Sequence, residues 1–175
     1  MKEDLAQSSP VSDMHKSAFS EDHEIIDVRP LLKRCINTNV RRAARAVTRL
    51  YDEELAPTGL RSTQLIILIV VHNLKATTVS NLAHELVMDP STLARNLKPL
   101  EKMNLIECNP GEDRRQKLVT LTSRGLYKII EGTEYVMHAQ EMLEEGMSDD
   151  ELDHLLEGVT HLAHHAQDIH DHRHN

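Results

Sequence analysis

The stretch from Asp89 to Gly125, DPSTLARNLKPLEKMNLIECNPGEDRRQKLVTLTSRG, constrains the fold more than any other part of the chain. It reads as a helix followed by two short strands joined by a charged loop. Asp89 is placed to cap the helix, Pro90 is pre-set for its first position, and Ser91 and Thr92 fill the first turn. Leu93, Leu97 and Leu100 recur at helical spacing and give one buried face, while Arg95, Asn96 and Lys98 point elsewhere. Pro99 removes the hydrogen bond to the Arg95 carbonyl and is expected to bend or end the helix. Leu105, Ile106 and Cys108 then lead into a turn at Asn109-Pro110-Gly111, and Lys117 to Leu121 forms the return strand. The product is a helix with a hairpin wing. Arg114, Arg115 and Lys117 on the wing join Arg95 and Lys98 on the helix as groups that suit DNA better than a substrate.

The elements before this stretch explain what the helix leans on. A first helix is expected from about Val28 to Ala56, with a stripe of Leu32, Ile36, Val40, Ala43, Val47 and Leu50. Arg34, Arg41, Arg42, Arg45 and Arg49 surround that stripe, solvated or paired with the acidic C-terminal helices. Pro57-Thr58-Gly59 ends it. The second helix, Ser62 to Leu74, is almost wholly apolar from Leu65 to Val71 and should form the core. His72 at its end reads as a satisfied core histidine or as a group facing a ligand. A third helix, from about Thr78 to Leu86, is linked by Val87-Met88 to the helix that Asp89 caps. Two short helices joined this closely make a helix-turn-helix, and the hairpin turns it into a winged one.

After the wing a helix from about Ser123 to Glu145 presents Leu126, Ile129, Ile130, Thr133, Met137 and Leu143. Gly146 stops it. Ser148 caps the last helix, with Glu151 in the capping-box position. That helix carries Leu152, Leu155, Leu156, Val159, Leu162, Ala163, Ala166 and Ile169, and no later element remains to cover them. A partner subunit is the expected cover. The chain therefore divides into a flexible arm (1–22), an N-terminal dimerisation helix (23–60), a winged helix-turn-helix (61–125), C-terminal dimerisation helices (126–169) and a His-rich tail (170–175). The fold class is mainly α, with a two-strand wing and a helical dimerisation region built from both ends of the chain.

Charge and composition narrow the function. The formal net charge is -8, which opposes phosphate binding, yet acid is concentrated from Glu131 to Asp153 while Arg and Lys gather in Arg29 to Arg49 and in the wing. One Phe, three Tyr and no Trp argue against base stacking and leave duplex reading by a helix and an arginine. Ser91 and Thr92 at the helix N-terminus can meet a phosphate, and Arg95 can reach a base edge or a phosphate. No apolar run is long enough to span a membrane and the start is polar and acidic, so a cytoplasmic protein is expected. Cys35 and Cys108 form no disulfide framework. Of the 12 His, His154, His161, His164 and His165 share the last helix and His170, His172 and His174 trail from it; they read as a polar flank and tail rather than a metal site. No phosphate loop, catalytic triad or zinc spacing appears, so neither an enzyme nor a cofactor is expected.

Three segments resemble the MarR family of bacterial transcriptional regulators, over roughly Ile25 to Ile169. Asp113-Arg114-Arg115 with Val119-Thr120-Leu121-Thr122 and Gly125 looks like its wing signature. Asp89 to Arg95 resembles its recognition helix, and Ala56-Pro57-Thr58-Gly59-Leu60 with Gln64 its junction after helix one. The resemblance implies a homodimer whose wings bracket a palindromic operator. It further implies a repressor released by a small aromatic or other organic anion, with oxidant- or metal-responsive regulators as the alternative within the fold. Arg115 matches the wing arginine, and Asp113 would brace the wing. Arg41, Arg42, Arg45 and His72 are the residues this resemblance nominates for an effector cavity. Oxidant-sensing relatives carry a cysteine early in helix one, nearer Asn37 here than Cys35, so Cys35 reads as a buried, inert thiol. An architectural DNA-binding protein without an effector is the remaining reading.

Overall fold

The computed structural model describes residues 28–111 and 116–174. The N-terminal arm, Asp113, Arg114 and Arg115 lie outside the described residues. In chain order the elements are α1 (Arg29–Arg34), α2 (Ile36–Leu55), a 3-10 turn (Ala56–Thr58), α3 (Ser62–Leu74), β1 (Ala76–Thr78), α4 (Val79–Glu85), α5 (Pro90–Lys102), β2 (Ile106–Pro110), β3 (Lys117–Leu121), α6 (Ser123–Glu144) and α7 (Asp149–His174). Two compact units divide at Ala43 and Ala44.

In the first unit, the long helix expected from Val28 is broken at Cys35. Asn39 is the local cause, because its Nδ2 donates to the carbonyls of Lys33 at 3.1 Å and Cys35 at 3.0 Å. A side chain that takes carbonyls from the helical ladder competes with the helix itself. Leu32, Ile36 and Val40 are exposed rather than packed.

The second unit holds the core, in which α3 supplies Leu65, Ile67, Leu68 and Val71, while Ile66 points outward at 53% exposure. Against α3 lie Leu82 and Ala83 of α4, Leu93, Leu97 and Leu100 of α5, and Ile106 and Val119 of the sheet. Burying each of these leucine, isoleucine and valine side chains is worth about 1.5–3 kcal/mol. Asp52 anchors the start of α3, its Oδ1 accepting from the Ser62 amide at 2.7 Å and the Ser62 hydroxyl at 2.8 Å. Thr58 is buried and donates to the Leu55 carbonyl at 2.7 Å, and Gly59 turns the chain at φ 74°.

The sheet has three strands, ordered β1-β3-β2 and antiparallel throughout. The sequence predicts only the two strands of the wing, and β1 is the third. Thr78 does cap α4, accepting from the Asn81 amide, but Thr77 is buried opposite Val119. β2 also runs through Asn109 and Pro110, so the turn comes later than expected; Gly111 closes it by donating to the Gln116 carbonyl at 2.8 Å. Pro99 does not end α5, which continues to Lys102 with Met103 donating to the Pro99 carbonyl. Arg95 and Pro99 are exposed, so the carbonyl that lost its amide faces water.

Helix α6 packs on α3 through a face shifted from the expected stripe, with Ile129 common to both. Its inward residues are Gly125, Ile129, Gly132, Val136 and Ala139, and Leu126, Ile130 and Met137 are exposed. Lys128 donates to the Thr58 carbonyl at 2.7 Å and to Glu131 at 2.7 Å. Tyr51 donates to Gln140 at 2.5 Å, and His138 meets Glu54 at 2.8 Å. Burial, with Glu144 nearby, pushes the Tyr51 phenol up. The capping box of α7 forms as expected: Glu151 accepts from the amide and hydroxyl of Ser148, and the Glu151 amide donates back. Leu155, Leu156, Val159 and Ile169 of α7 are between 44% and 54% exposed, an apolar face with no cover among the described residues. Among those residues no single helix is long and apolar enough to cross a membrane.

Candidate nucleic-acid interface

Helix α5 is held by its apolar side. With Leu93, Leu97 and Leu100 buried, Ser91, Arg95 and Lys98 are left exposed and Thr92 and Asn96 half-exposed. The five residues therefore share the outer side of one helix, the placement that docking into a major groove requires. Lys117 stands exposed at the start of β3, in register with Pro110. The wing residues Asp113, Arg114 and Arg115 fall outside the described residues, within the loop that Gly111 and Gln116 close.

The start of α5 is more committed than sequence reasoning allowed. A single oxygen of Asp89, Oδ1, accepts from the Ser91 amide at 2.9 Å, the Thr92 amide at 3.1 Å and the Ser91 hydroxyl. The Ser91 hydroxyl, then the Thr92 and Ser91 amides, and Arg95 nearby, hold the Asp89 carboxyl below its ordinary value. These donors already face a carboxylate, so a phosphate would compete with it rather than meet free N–H groups. Arg95 donates to the Thr92 hydroxyl at 3.1 Å, and Asn96 donates to the Thr92 carbonyl at 2.9 Å. Both side chains are thereby pre-positioned on the exposed face. A folded-state value below the unfolded one makes the cap's contribution complete above the ordinary carboxylate range. That contribution is lost as pH falls through the lowered value.

The residues nominated for an effector cavity fall in both units. Arg41 and Arg42 are exposed in the first unit. In the second unit Arg45 lines a groove with Arg49, Asp52 and Arg61, and His72 lines a separate one. No ion pair among the described residues involves Arg41, Arg42, Arg45 or Arg49; the nearby bridge is Arg61 to Asp52 at 3.4 Å. His72 is exposed, not a core histidine, and its cavity of about 540 Å³ is completed by Asn73, Lys75, Thr122, Ser123 and Leu126. Lys75 caps the same helix three residues after His72, and the start of α6 was missed as a possible partner because only the fold brings it beside the end of α3.

Cys35 is half-buried rather than buried. The Thr38 hydroxyl, then the amides of Thr38 and Asn37, lower its thiol below the ordinary value. Burial pushes Cys108 up, with Glu101 adding to the effect and Lys117 opposing it. Because the thiolate is the reactive form, limiting iodoacetamide at pH 7.5 should modify Cys35 at least about threefold faster than Cys108. Equal rates by peptide mass spectrometry would contradict the helix-start geometry at Asn37 and Thr38. The histidines of α7 are tied to their own helix: His154 and His172 lie against the carbonyls of Asp150 and Asp168, and the rings of His161 and His165 stack 6.1 Å apart. Among the described residues no group of three or more His, Cys, Asp or Glu is placed to hold a metal ion.

Comparison with known proteins agrees with this geometry. Residues 60–117 match the MarR family. An uncharacterized HTH-type transcriptional regulator of Bacillus subtilis, YwoH, is 31% identical over 83 residues; the match covers 47% of this chain and spans only 61% of that relative's length. Among solved structures, the M. tuberculosis transcriptional regulator MOSR in complex with DNA is 27% identical with a TM-score of 0.71, over 77% of this chain and 98% of that one. A mutant MarR from E. coli complexed with operator DNA is 25% identical with a TM-score of 0.66, over 74% and 97%.

Proposed function

We propose that this chain is a winged helix-turn-helix transcriptional regulator of the MarR family, whose model matches residues 60–117, and that it is a dimeric repressor whose operator affinity is set by a small organic anion. The observation that carries the DNA-reading role is the outer side of α5, where Ser91, Thr92, Arg95, Asn96 and Lys98 stand together while its leucines are buried. Residues 61–125 act as the reading lobe, and 23–60 with 126–169 pair two subunits. Arg95 contacts a base edge or phosphate in the major groove. Arg114, Arg115 and Lys117 meet the adjacent backbone and minor groove, with Asp113 bracing the loop. The related regulators solved with DNA support this assignment.

The effector reading rests on the cavity at His72. Lys75 supplies a positive charge there, and Thr122 and Ser123 mark the start of a long helix, where an anion is favoured. His72 adds a ring donor. Arg41, Arg42 and Arg45 are the further candidates for contact with the anion.

The test is fluorescence anisotropy on an operator selected from random duplexes. Arg95→Ala and Arg115→Ala should each weaken binding by about 1–3 kcal/mol and lower the salt slope by roughly one unit. The Arg115→Ala loss should be larger on A·T-rich flanks, where a narrow minor groove concentrates negative potential. Millimolar benzoate should release the unaltered protein and fail to release Lys75→Ala. Full affinity from both arginine variants would remove the DNA-reading assignment, and indifference to a panel of aromatic anions would remove the effector.

A further inference from the structure

Two side chains on the outer side of α5 have the donors to read a base edge, and both are tied to Thr92. Arg95 Nη2 donates to the Thr92 hydroxyl at 3.1 Å, and Asn96 Nδ2 donates to the Thr92 carbonyl at 2.9 Å. The two ties have opposite consequences. An asparagine reads adenine by presenting its amide N–H and its carbonyl together. With Nδ2 turned back onto its own helix, Asn96 is not set to present that pair to a groove. An arginine carries five N–H donors in a planar fork. Thr92 engages one of them, restricts how the guanidinium can turn, and leaves the others for a base.

The direction of Arg95 favours a base over a phosphate. Leu93, Leu97 and Leu100 are buried and define the inward direction of α5. At roughly 100° per residue, the Arg95 position lies within about 15° of the point opposite their mean. Thr92 and Asn96 fall on the flank. A residue in the middle of the outward face meets the groove floor, where the base edges are, while flanking residues meet the phosphate walls. Ser91, one turn earlier on the same line, is small and exposed, so nothing bulky holds the helix off that floor. No ion pair among the described residues involves Arg95, so its charge is not cancelled within the fold.

We propose that Thr92 is a positioning residue for Arg95, and that the guanidinium it orients reads one guanine in each operator half-site through O6 and N7. The proposal rests on the DNA-reading role given to α5. A guanine edge offers two acceptors side by side, which match a fork of N–H groups. Adenine offers an acceptor beside a donor, and that donor opposes the fork. With the hydroxyl of Thr92 in place, the long side chain is ordered on folding rather than on binding, which favours the matching base. The Thr92 amide donates to Asp89 whatever side chain stands there, so the helix cap survives Thr92→Val.

The experiment selects preferred duplexes from a random pool with the full chain. Each guanine of the half-site is then replaced in turn by 7-deazaguanine, which lacks N7 and pairs as guanine does. Fluorescence anisotropy should find one guanine at which the replacement weakens binding about fivefold or more. Arg95→Ala should bind the two duplexes alike. Thr92→Val should reduce the ratio to about twofold or less, and Thr92→Ser should restore it. The salt slope counts charged contacts and should not move in either Thr92 variant. Circular dichroism checks that all three variants fold. A selected duplex in which no guanine responds overturns the proposal and leaves the DNA-reading role standing. A response that persists in Arg95→Ala, or keeps its full size in Thr92→Val, overturns it too. If no duplex is preferred over the pool, the DNA-reading role itself fails and the proposal fails with it.

Discussion

Glutamate at both Leu155 and Leu162 is expected to turn the protein into a monomer and to abolish operator binding at concentrations that saturate the unaltered protein. The two positions are one heptad apart on α7, so they lie on one side of it, and Leu155 is 49% exposed with no cover among the described residues. Leu32, Ile36 and Val40 leave a similar uncovered face on the N-terminal helices. Two carboxylates placed in such a face would have to be desolvated in any dimer that buries it, at several kcal/mol each. The consequence for DNA follows from geometry. A two-fold dimer engages two half-sites roughly one helical turn apart, and the second half-site is then met at an effective concentration near millimolar. Losing that connection should cost at least about 100-fold in operator affinity. Sedimentation velocity and anisotropy on the same samples check both parts. A double variant that stays dimeric, or a monomer that still binds the operator fully, would show that this face is not the one subunits share.

Alanine at Gly125 is expected to be the most damaging single methyl group that can be added to α6. A Cβ there would lie 2.1 Å from the Leu105 carbonyl oxygen and 2.7 Å from Leu121 Cδ1. The first is backbone and cannot rotate away. That same oxygen accepts from the Thr122 amide and hydroxyl, each at 3.1 Å, so relief of the clash breaks the join between the exit of α5 and the start of α6. Overpacking at about 1–3 kcal/mol plus loss of two hydrogen bonds at about 1 kcal/mol each amounts to roughly 3–5 kcal/mol. At about 2–4 °C per kcal/mol the melting temperature should fall by roughly 10 °C. Gly132 provides the contrast. Its added Cβ would meet Leu65 methyl carbons at 2.9 and 3.0 Å, the ends of a side chain that can shift, and alanine regains about 1 kcal/mol of helix propensity. Gly132→Ala should therefore melt within a few degrees of the unaltered protein. If the two variants melt alike, the close seat of α6 on Leu105 is wrong.

These glycines also mark where the sequence was hard to read. The recognition helix was legible because its signals are local: Asp89 and Pro90 set its start, and the leucine spacing sets its buried face. α3 and the capping box at Ser148 were legible for the same reason. The inward face of α6 was legible only at Ile129, since Gly125, Gly132 and Ala139 on that face carry little hydropathic signal and sit there for closeness. The more apolar residues beside them, Leu126, Ile130 and Met137, turned out to face outward. β1 was missed because a three-residue strand gains its identity from β3, some forty residues later. Among the site residues, Arg95, Asn96 and Lys98 were readable from helical spacing, and the structure added that Asp89 occupies the donors of Ser91 and Thr92. The placement of Thr122 and Ser123 beside His72 depends on tertiary approach alone.

The short strand β1 has a mechanical consequence. Pairing of Thr77 with Val119 closes the chain into a loop that contains α4, α5 and β2 in full. The recognition helix is therefore inside a cross-linked ring whose clasp is the middle of the sheet. Such a ring forms late, because a distant closure must be made before its contacts repay the entropy. Once formed, it opens as one cooperative piece. Amide exchange in α4 and α5 should accordingly follow exchange in β3, with the helices unprotected only when the clasp is open. A signal arriving at this lobe can turn or displace the ring as a body, but it cannot unwind α5 alone without also paying to undo the sheet.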